Sequence, residues 1–453
     1  MKHEFPADFL WGHATSSYQI EGAHDLDGRQ PSIWDRFCET DGKIEDKSDG
    51  RIACDHYHRW ASDLDVIKNL NAQAYRFSVA WPRVVPTGTG PLNAEGLAFY
   101  DRLVDGLLER GIEPCVTLYH WDLPQILQER GGWPERFIVD AFNDYTEHVV
   151  KGLGDRVNMW ITHNEPWCAS VLGYENGEHA PGVQDVYQAM KAAHHLLLSH
   201  GTATEIIRGH VPDAKVGITL NLCPAYSASP STADEKATRF FDGTFNRWFM
   251  DPLYKGSYPQ DVIEERHRLG QISEPTLDYV LDGDLKTIAT PTDFLGINYY
   301  SRAIIRDHSI PESENEKRTL HDPPKAELTD MGWEVYPEGL YDLMMRVHQD
   351  YAPASVYITE NGAAFPDQIE PDGTIRDAHR QQYFESHLAQ LHRAIASGVP
   401  LDGYFAWSLM DNFEWAFGYT KRFGVVRVDY DTQKRTIKNS GKWLRDVYSN
   451  NGF

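Results

Sequence analysis

Apolar positions along this chain change rhythm repeatedly. Short runs in which almost every residue is apolar, β-branched or aromatic alternate with longer stretches in which apolar residues return every three or four positions. The runs are Phe9–Ala14, Ala74–Ala80, Pro114–Leu118, Asn158–Thr162, Val216–Leu220, Phe294–Asn298, Val356–Thr359 and Tyr404–Ser408, eight in all. Runs without a polar face read as strands covered on both sides, the pattern of a parallel sheet. Between them, Tyr57, Trp60, Leu64, Ile67 and Leu70 recur at helical spacing. So do Leu97, Tyr100, Leu103, Val104 and Leu107, with a predicted cap at Asn93 and a predicted stop at Gly111. Pro134 and Glu135 predict the start of a third helix, with Phe137, Ile138, Ala141, Phe142 and Tyr145 on its apolar face. Eight alternations of strand and helix predict an α/β fold, a closed (β/α)8 TIM barrel.

A length of 453 residues permits several domains, but barrels of this size with long loops occur as one. No Pro/Gly/Ser-rich linker divides the chain. The polar stretch Asp307–Pro324 is the best boundary candidate, and it fits better as a loop after the sixth strand. The expectation is a single catalytic barrel over residues 1–453. Long segments also follow the first strand (Thr15–Asp55), the fourth (Asn164–Asp185) and the eighth (Leu409–Lys434). All would rise from the C-terminal face, where such barrels keep their active sites, and would wall a deep pocket.

Composition narrows the partners. With 43 basic and 67 acidic residues the net charge is −24, which argues against nucleic acid or an anionic membrane. The five cysteines are widely spaced and form no C-x-x-C pair, which points to a reducing compartment. The N-terminus has no apolar signal region and no run reaches membrane-spanning length, so the expected location is cytoplasmic. A homo-oligomer stays open. The 20 histidines form no H-E-x-x-H, and His194-His195 sits in an Ala/Leu-rich helical stretch where packing explains it better than metal binding. Neither G-x-G-x-x-G nor a P-loop occurs, so no cofactor is expected. Aromatic residues make up 12% of the chain; most fill the core, and a minority fit a pocket for the apolar face of a pyranose.

Two glutamates stand out. Glu165, in Ile161-Thr162-His163-Asn164-Glu165-Pro166, and Glu360, in Ile358-Thr359-Glu360-Asn361-Gly362, each end a buried run. A carboxylate there costs folding energy unless paired. One alone is more often a satisfied structural acid. Two, each beside an asparagine and each followed by a chain-breaker, suggest a shared site. Paired carboxyl groups flanking a bond are what glycoside hydrolysis requires.

Six segments in order resemble glycoside hydrolase family 1, the retaining β-glucosidase family, from about Phe5 to about Tyr448. They are Phe9–Gly22, Tyr75–Ser78, Tyr119–Pro124, Thr162–Pro166, Ile358–Gly362 and Trp407–Trp415. His13 stands where a small residue is more usual. The resemblance implies Glu165 as general acid/base and Glu360 as nucleophile, with Arg76 and Tyr300 holding Glu360 ionised. For Arg76, an ordinary buried ion pair is the competing explanation. The resemblance further implies Gln19, His120, Trp121, Asn164, Asn298, Trp407, Glu414 and Trp415 as the sugar-binding set, and Trp167, Cys168, Leu172, His179 and Trp333 around the entrance. Taken alone, His120 reads as a core histidine; for Leu172 and Trp333 plain packing competes equally with an entrance role. The implied substrate is a small β-glucoside or cello-oligosaccharide. Two alternatives remain. A 6-phospho-β-glucosidase would carry a serine near position 414 and a Lys–Tyr pair after it, where this chain has Lys421 and Phe423. A non-catalytic sugar-binding barrel would lack one of the two glutamates.

Overall fold

The computed structural model describes residues 2–309 and 327–453. Eight parallel strands close into a barrel in which sequence neighbours are spatial neighbours throughout. They are β1 (Leu10–Ala14), β2 (Ala74–Ser78), β3 (Glu113–Tyr119), β4 (Met159–Asn164), β5 (Lys215–Asn221), β6 (Phe294–Tyr299), β7 (Val356–Asn361) and β8 (Leu401–Trp407). β1 closes the ring by pairing Trp11 with Tyr404 and His13 with Ala406 on one side, and His13 with Tyr75 on the other. Each predicted run coincides with one strand.

Period-two alternation splits every strand between two cores. Inward-facing Ala74, Cys115, Met159, Phe294, Tyr357 and Phe405 fill the lower barrel. The large rings among them fit because glycines face them. A Cβ on Gly12 would lie 2.6 Å from the Phe405 ring, and one on Gly217 would lie 2.5 Å from the Phe294 ring. Outward-facing residues such as Trp11, Tyr75, Val116, Trp160, Ile218 and Ile358 pack beneath the surrounding helices.

The helix over Ala94–Glu109 ends as expected, with Gly111 at φ +68° just beyond it. Asn93 occupies its N-cap position without capping it. The Asn93 amide instead donates to the carbonyls of Asp27 and Arg83, at 2.6 and 2.8 Å. The third helix begins at Phe137, later than Pro134 and Glu135 predict. Buried Trp133, whose indole donates to Tyr119 Oη at 2.9 Å, and the Arg136–Asp284 ion pair hold this approach in a turn. Of the polar stretch Asp307–Pro324, residues 310–324 lie outside the described residues. His194 and His195 have protein partners: Tyr258 and Asp284 for the first, the Trp133 carbonyl for the second. Among the described residues, all five cysteines are free and no helix is long and apolar enough to cross a membrane.

His13 is fully buried on the outer face of β1, its ring 5.4 Å from that of Tyr448, and neither ring nitrogen has a partner. Burial lowers its pKa from 6.5 to about 3, so it stays neutral. The unfolded chain therefore binds a proton that the folded chain refuses. The contribution of the neutral ring is full above pH 6.5 and is lost as pH falls from there toward 3. His13→Ala is expected to lower stability at pH 7.5 by leaving a cavity. Between pH 6.5 and 5 it should also flatten the fall in stability by up to about 1.4 kcal/mol per pH unit. Urea midpoints across that range test this; a slope equal to wild type would show that the ring is solvated.

Candidate active site

The C-terminal strand ends converge on a cavity of about 630 Å³. β4 carries Asn164 at its last position, and the chain leaves the strand at Glu165 with φ +50°. The Glu165 N–H reaches Thr219 O on β5 at 2.9 Å, and Pro166 then opens a helical turn. A π-helix, Cys168–Asn176, follows. Trp121 (φ +80°) and Trp415 (φ +48°) are likewise left-handed at the cavity wall. For residues with side chains such backbone costs about 1–3 kcal/mol each, and it concentrates at functional sites.

Glu360 lies in β7, where the register with β6 shifts so that Asn298 stands opposite it. Arg76 on β2 donates through Nη1 to Glu360 Oε1 at 2.7 Å and through Nη2 to Asn164 Oδ1 at 2.6 Å. Its Nε reaches Thr117 Oγ1 at 3.1 Å. Tyr300 donates its phenol to Glu360 Oε2 at 2.6 Å. Asn298 links the two acids' surroundings: its Nδ2 donates to Glu165 Oε1 at 2.6 Å and to Asn164 Oδ1 at 3.1 Å.

The two carboxyl groups have unequal company. Glu165 is pushed up to about 8, chiefly by burial and then by the charge on Glu360. Burial also raises Glu360, but Arg76, the Tyr300 phenol and Asn298 act against it. The first charge therefore settles on Glu360, and Glu165 keeps a proton. Glu414, on the loop after β8, is also pushed up to about 8 by burial and by the other two carboxylates. Its Oε2 is buried without a partner.

His120, one residue past β3, has its Nε2 3.1 Å from Asn164 Nδ2, which makes that nitrogen the acceptor. Its Nδ1 is buried and unpartnered. Burial, and secondarily Arg76, keep the ring neutral. The His120 ring stacks with Trp407 and Trp415 at centroid distances of 5.9 Å. Trp121 packs on Trp415 at 4.5 Å and donates its indole N–H to Asn164 O at 2.8 Å. Asp411 ties down the base of this loop. It accepts from Lys438 Nζ at 2.7 Å, Arg422 Nη1 at 2.6 Å and the Gly424 amide at 3.0 Å.

Most of the expected residues reach the cavity wall: His120, Trp121, Glu165, Asn298, Tyr300, Glu360, Trp407, Glu414 and Trp415, and all five entrance residues. Arg76 and Asn164 sit directly behind it, bonded to residues that line it. Gln19 is not brought to the wall. Its Nε2 donates to Asn412 Oδ1 at 3.1 Å and Phe413 O at 2.8 Å, and its Oε1 accepts from Ser16 at 2.6 Å. Sequence reasoning missed Phe245, which packs on Trp167 at 4.2 Å, and Asn221 at the end of β5. It also missed the Arg302–Glu334 pair at 2.7 Å on the same wall. None of these lies in a recognisable motif.

Comparison with known proteins decides the family: a model described as Glycosyl hydrolase family 1 matches residues 1–453. The chain belongs to glycosyl hydrolase family 1. Beta-glucosidase A of Acetivibrio thermocellus is 48% identical, with 100% of each chain covered. A bifunctional beta-D-glucosidase/beta-D-fucosidase of Bifidobacterium breve is 43% identical, with 97% of each covered. The solved family 1 b-glucosidase of Thermotoga maritima in complex with isofagomine lactam superposes with a TM-score of 0.91 at 44% identity, covering 100% of each chain. This family 1 chain is accordingly a glycoside hydrolase with the (β/α)8 barrel of its relatives.

Removing the Tyr300 phenol takes a hydrogen bond from the charged form of Glu360. Tyr300→Phe is expected to move the protonation midpoint of Glu360 to higher pH, followed by carboxyl ¹³C shifts in glutamate-labelled enzyme. An unmoved midpoint would show that the phenol does not stabilise that charge.

Proposed function

We propose that this chain, acting as one catalytic domain, is a retaining exo-β-glucosidase that releases the non-reducing terminal glucosyl unit of small β-glucosides. The observation that carries this reading is the asymmetry of the two acids: Glu360 is bonded to Arg76 and Tyr300, while Glu165 is bonded to the Asn298 amide and the Cys168 thiol and, among the described residues, to no cation. An ionised Glu360 attacks the anomeric carbon as the glycosidic C–O bond breaks. Glu165 delivers its proton to the departing oxygen. Glu165 then takes a proton from water, which attacks the anomeric carbon and frees Glu360. The Asn164 N–H not engaged by His120 would serve the 2-hydroxyl, where hydrogen bonds strengthen in the transition state. His120 Nδ1 and Glu414 Oε2, buried and unpartnered, would take further hydroxyls. Gln19 would act by holding the Asn412 side chain and the Phe413 carbonyl beside Glu414. Trp167, Phe245, Leu172 and Trp333 give the leaving group an apolar surround.

The names of the relatives support glucose as the sugar. That of the Bifidobacterium breve protein extends the reading to fucosides, as would a carboxylate able to serve either configuration at the 4-position. A 6-phosphate would bring further negative charge beside Glu414, whose ionisation burial and the charges on Glu360 and Glu165 already oppose, and Phe423 stands where that specificity calls for a tyrosine.

Glu360→Ala is expected to lose on the order of 10⁴-fold or more in kcat, and azide should rescue it with formation of the α-glycosyl azide. Glu165→Ala should lose far more on alkyl than on dinitrophenyl glucosides, and azide should then give the β-azide. Product stereochemistry by NMR checks both; α-azide from Glu165→Ala, or wild-type turnover in Glu360→Ala, would overturn the assignment. Glu414→Ala should lower kcat/KM for glucosides about tenfold more than for 6-deoxyglucosides, the upper end of what one ordinary hydrogen bond contributes. Equal losses on the two sugars would remove Glu414 from the 6-hydroxyl, and a wild-type preference for 6-phosphoglucosides would overturn the sugar reading.

A further inference from the structure

Each oxygen of the Glu165 carboxyl meets one hydrogen-bonding neighbour, and the two neighbours differ in kind. Asn298 Nδ2 lies 2.6 Å from Oε1 and can only donate. Cys168 Sγ lies 3.0 Å from Oε2 and can donate or accept. Asn221 Nδ2 donates to the same sulfur at 3.6 Å. Cys168 is the first residue of the π-helix, three positions after Glu165, so the strained exit from β4 fixes both groups together.

We propose that Cys168 is a positioning residue for the proton of Glu165: its sulfur accepts the proton-bearing Oε2 before transfer, and its S–H donates to the same oxygen afterwards. The inference rests on the acid/base reading of Glu165. Asn298 occupies Oε1 as a donor, which leaves Oε2 as the better place for the acid proton. The thiol itself does not ionise. Burial, and then the charge on Glu165, hold it well above the usual thiol range. It therefore acts as a neutral hinge for the proton and does not compete as a second acid.

The other charged or titratable groups facing Glu165 are Glu360 on β7, Arg76 on β2, Tyr300 after β6 and Glu414 on the loop after β8. His120 and His179 line the same cavity, and burial keeps both neutral. A change confined to Cys168 leaves all of these in place.

The sign of the effect follows from which form of Glu165 the side chain supports. A valine removes the S–H donor, so the carboxylate loses support and the proton is held to higher pH. A serine is a stronger donor than a thiol, so the carboxylate gains support and the proton leaves at lower pH. The kcat/KM for an aryl β-glucoside needs Glu165 protonated and is lost as pH rises through its pKa. Cys168→Val is expected to move that alkaline limb up by roughly half a pH unit, and Cys168→Ser to move it down by a similar amount. The acid limb, set by Glu360, should stay in place in both. Opposite shifts from two small side chains are not what a packing role produces. An alkaline limb that is unmoved in both variants, or moved the same way in both, overturns the proposal whatever happens to kcat. Glu165→Ala in the same series separates the two levels. If it retains the wild-type alkaline limb, the acid/base reading itself fails and takes the proposal with it. If it loses that limb while the Cys168 variants do not move it, only the role of Cys168 fails.

Discussion

Arg76 brings a fixed positive charge to the inner end of a pocket that also holds three carboxyl groups, Glu165, Glu360 and Glu414, and the sharing of protons among them follows from where that charge is aimed. All four side chains are buried, so water cannot even out their differences. The guanidinium is held by Thr117, Asn164, Glu360 and the Thr359 carbonyl. A planar fork with several N–H donors fits this geometry; a lysine ammonium would be a point charge without the same directional hold. Because Arg76 favours Glu360, the neighbouring acids are raised in turn by the charge it stabilises.

The barrel supplies this arrangement through its strand ends. Arg76, Glu360 and the Asn164–Glu165 pair come from three strands, and the register shift between β6 and β7 aligns Asn298 with the second acid. Main-chain strain at Glu165 and Trp121 then turns the adjoining side chains into the cavity. Such placement depends on the closed sheet, which fixes each strand end relative to its neighbours. The loop after β8 has less sheet to hold it and relies on the buried Asp411, with Lys438 and Arg422 bonded to it.

The strands were legible because every one of them is covered on both faces, so polar residues interrupt the apolar runs only sparsely and β8 is as clear as β1. Helix limits were less so: Asn93 and Pro134-Glu135 carry the right residue types, but tertiary partners claim them first. Glu165 and Glu360 were legible because an acid ending an apolar strand is costly unless used. Gln19 shows the limit of motif reading, since a pattern marks the position and not which way an amide faces. Phe245 and Asn221 had no signal, because nothing local distinguishes an aromatic ring or an amide on the wall of a cavity from one in the core. Cys168 was placed at the entrance by likeness; its contact with Glu165 emerges only once the π-helix following the strand is built.

The unpartnered atoms of His120 and Glu414, with the left-handed residues beside them, gather unfavourable local energy at the pocket wall. An unmet buried polar atom costs about 1–3 kcal/mol, and so does each strained backbone position. Selection for endurance and selection for turnover therefore pull in opposite directions at these residues. A lineage under heat would gain most by making them apolar and relaxed, and on the proposed function would lose its sugar in doing so. Adaptation to temperature has its free room elsewhere, in the helical shell and on the strongly acidic surface, where changes in packing and charge leave the pocket's tension intact.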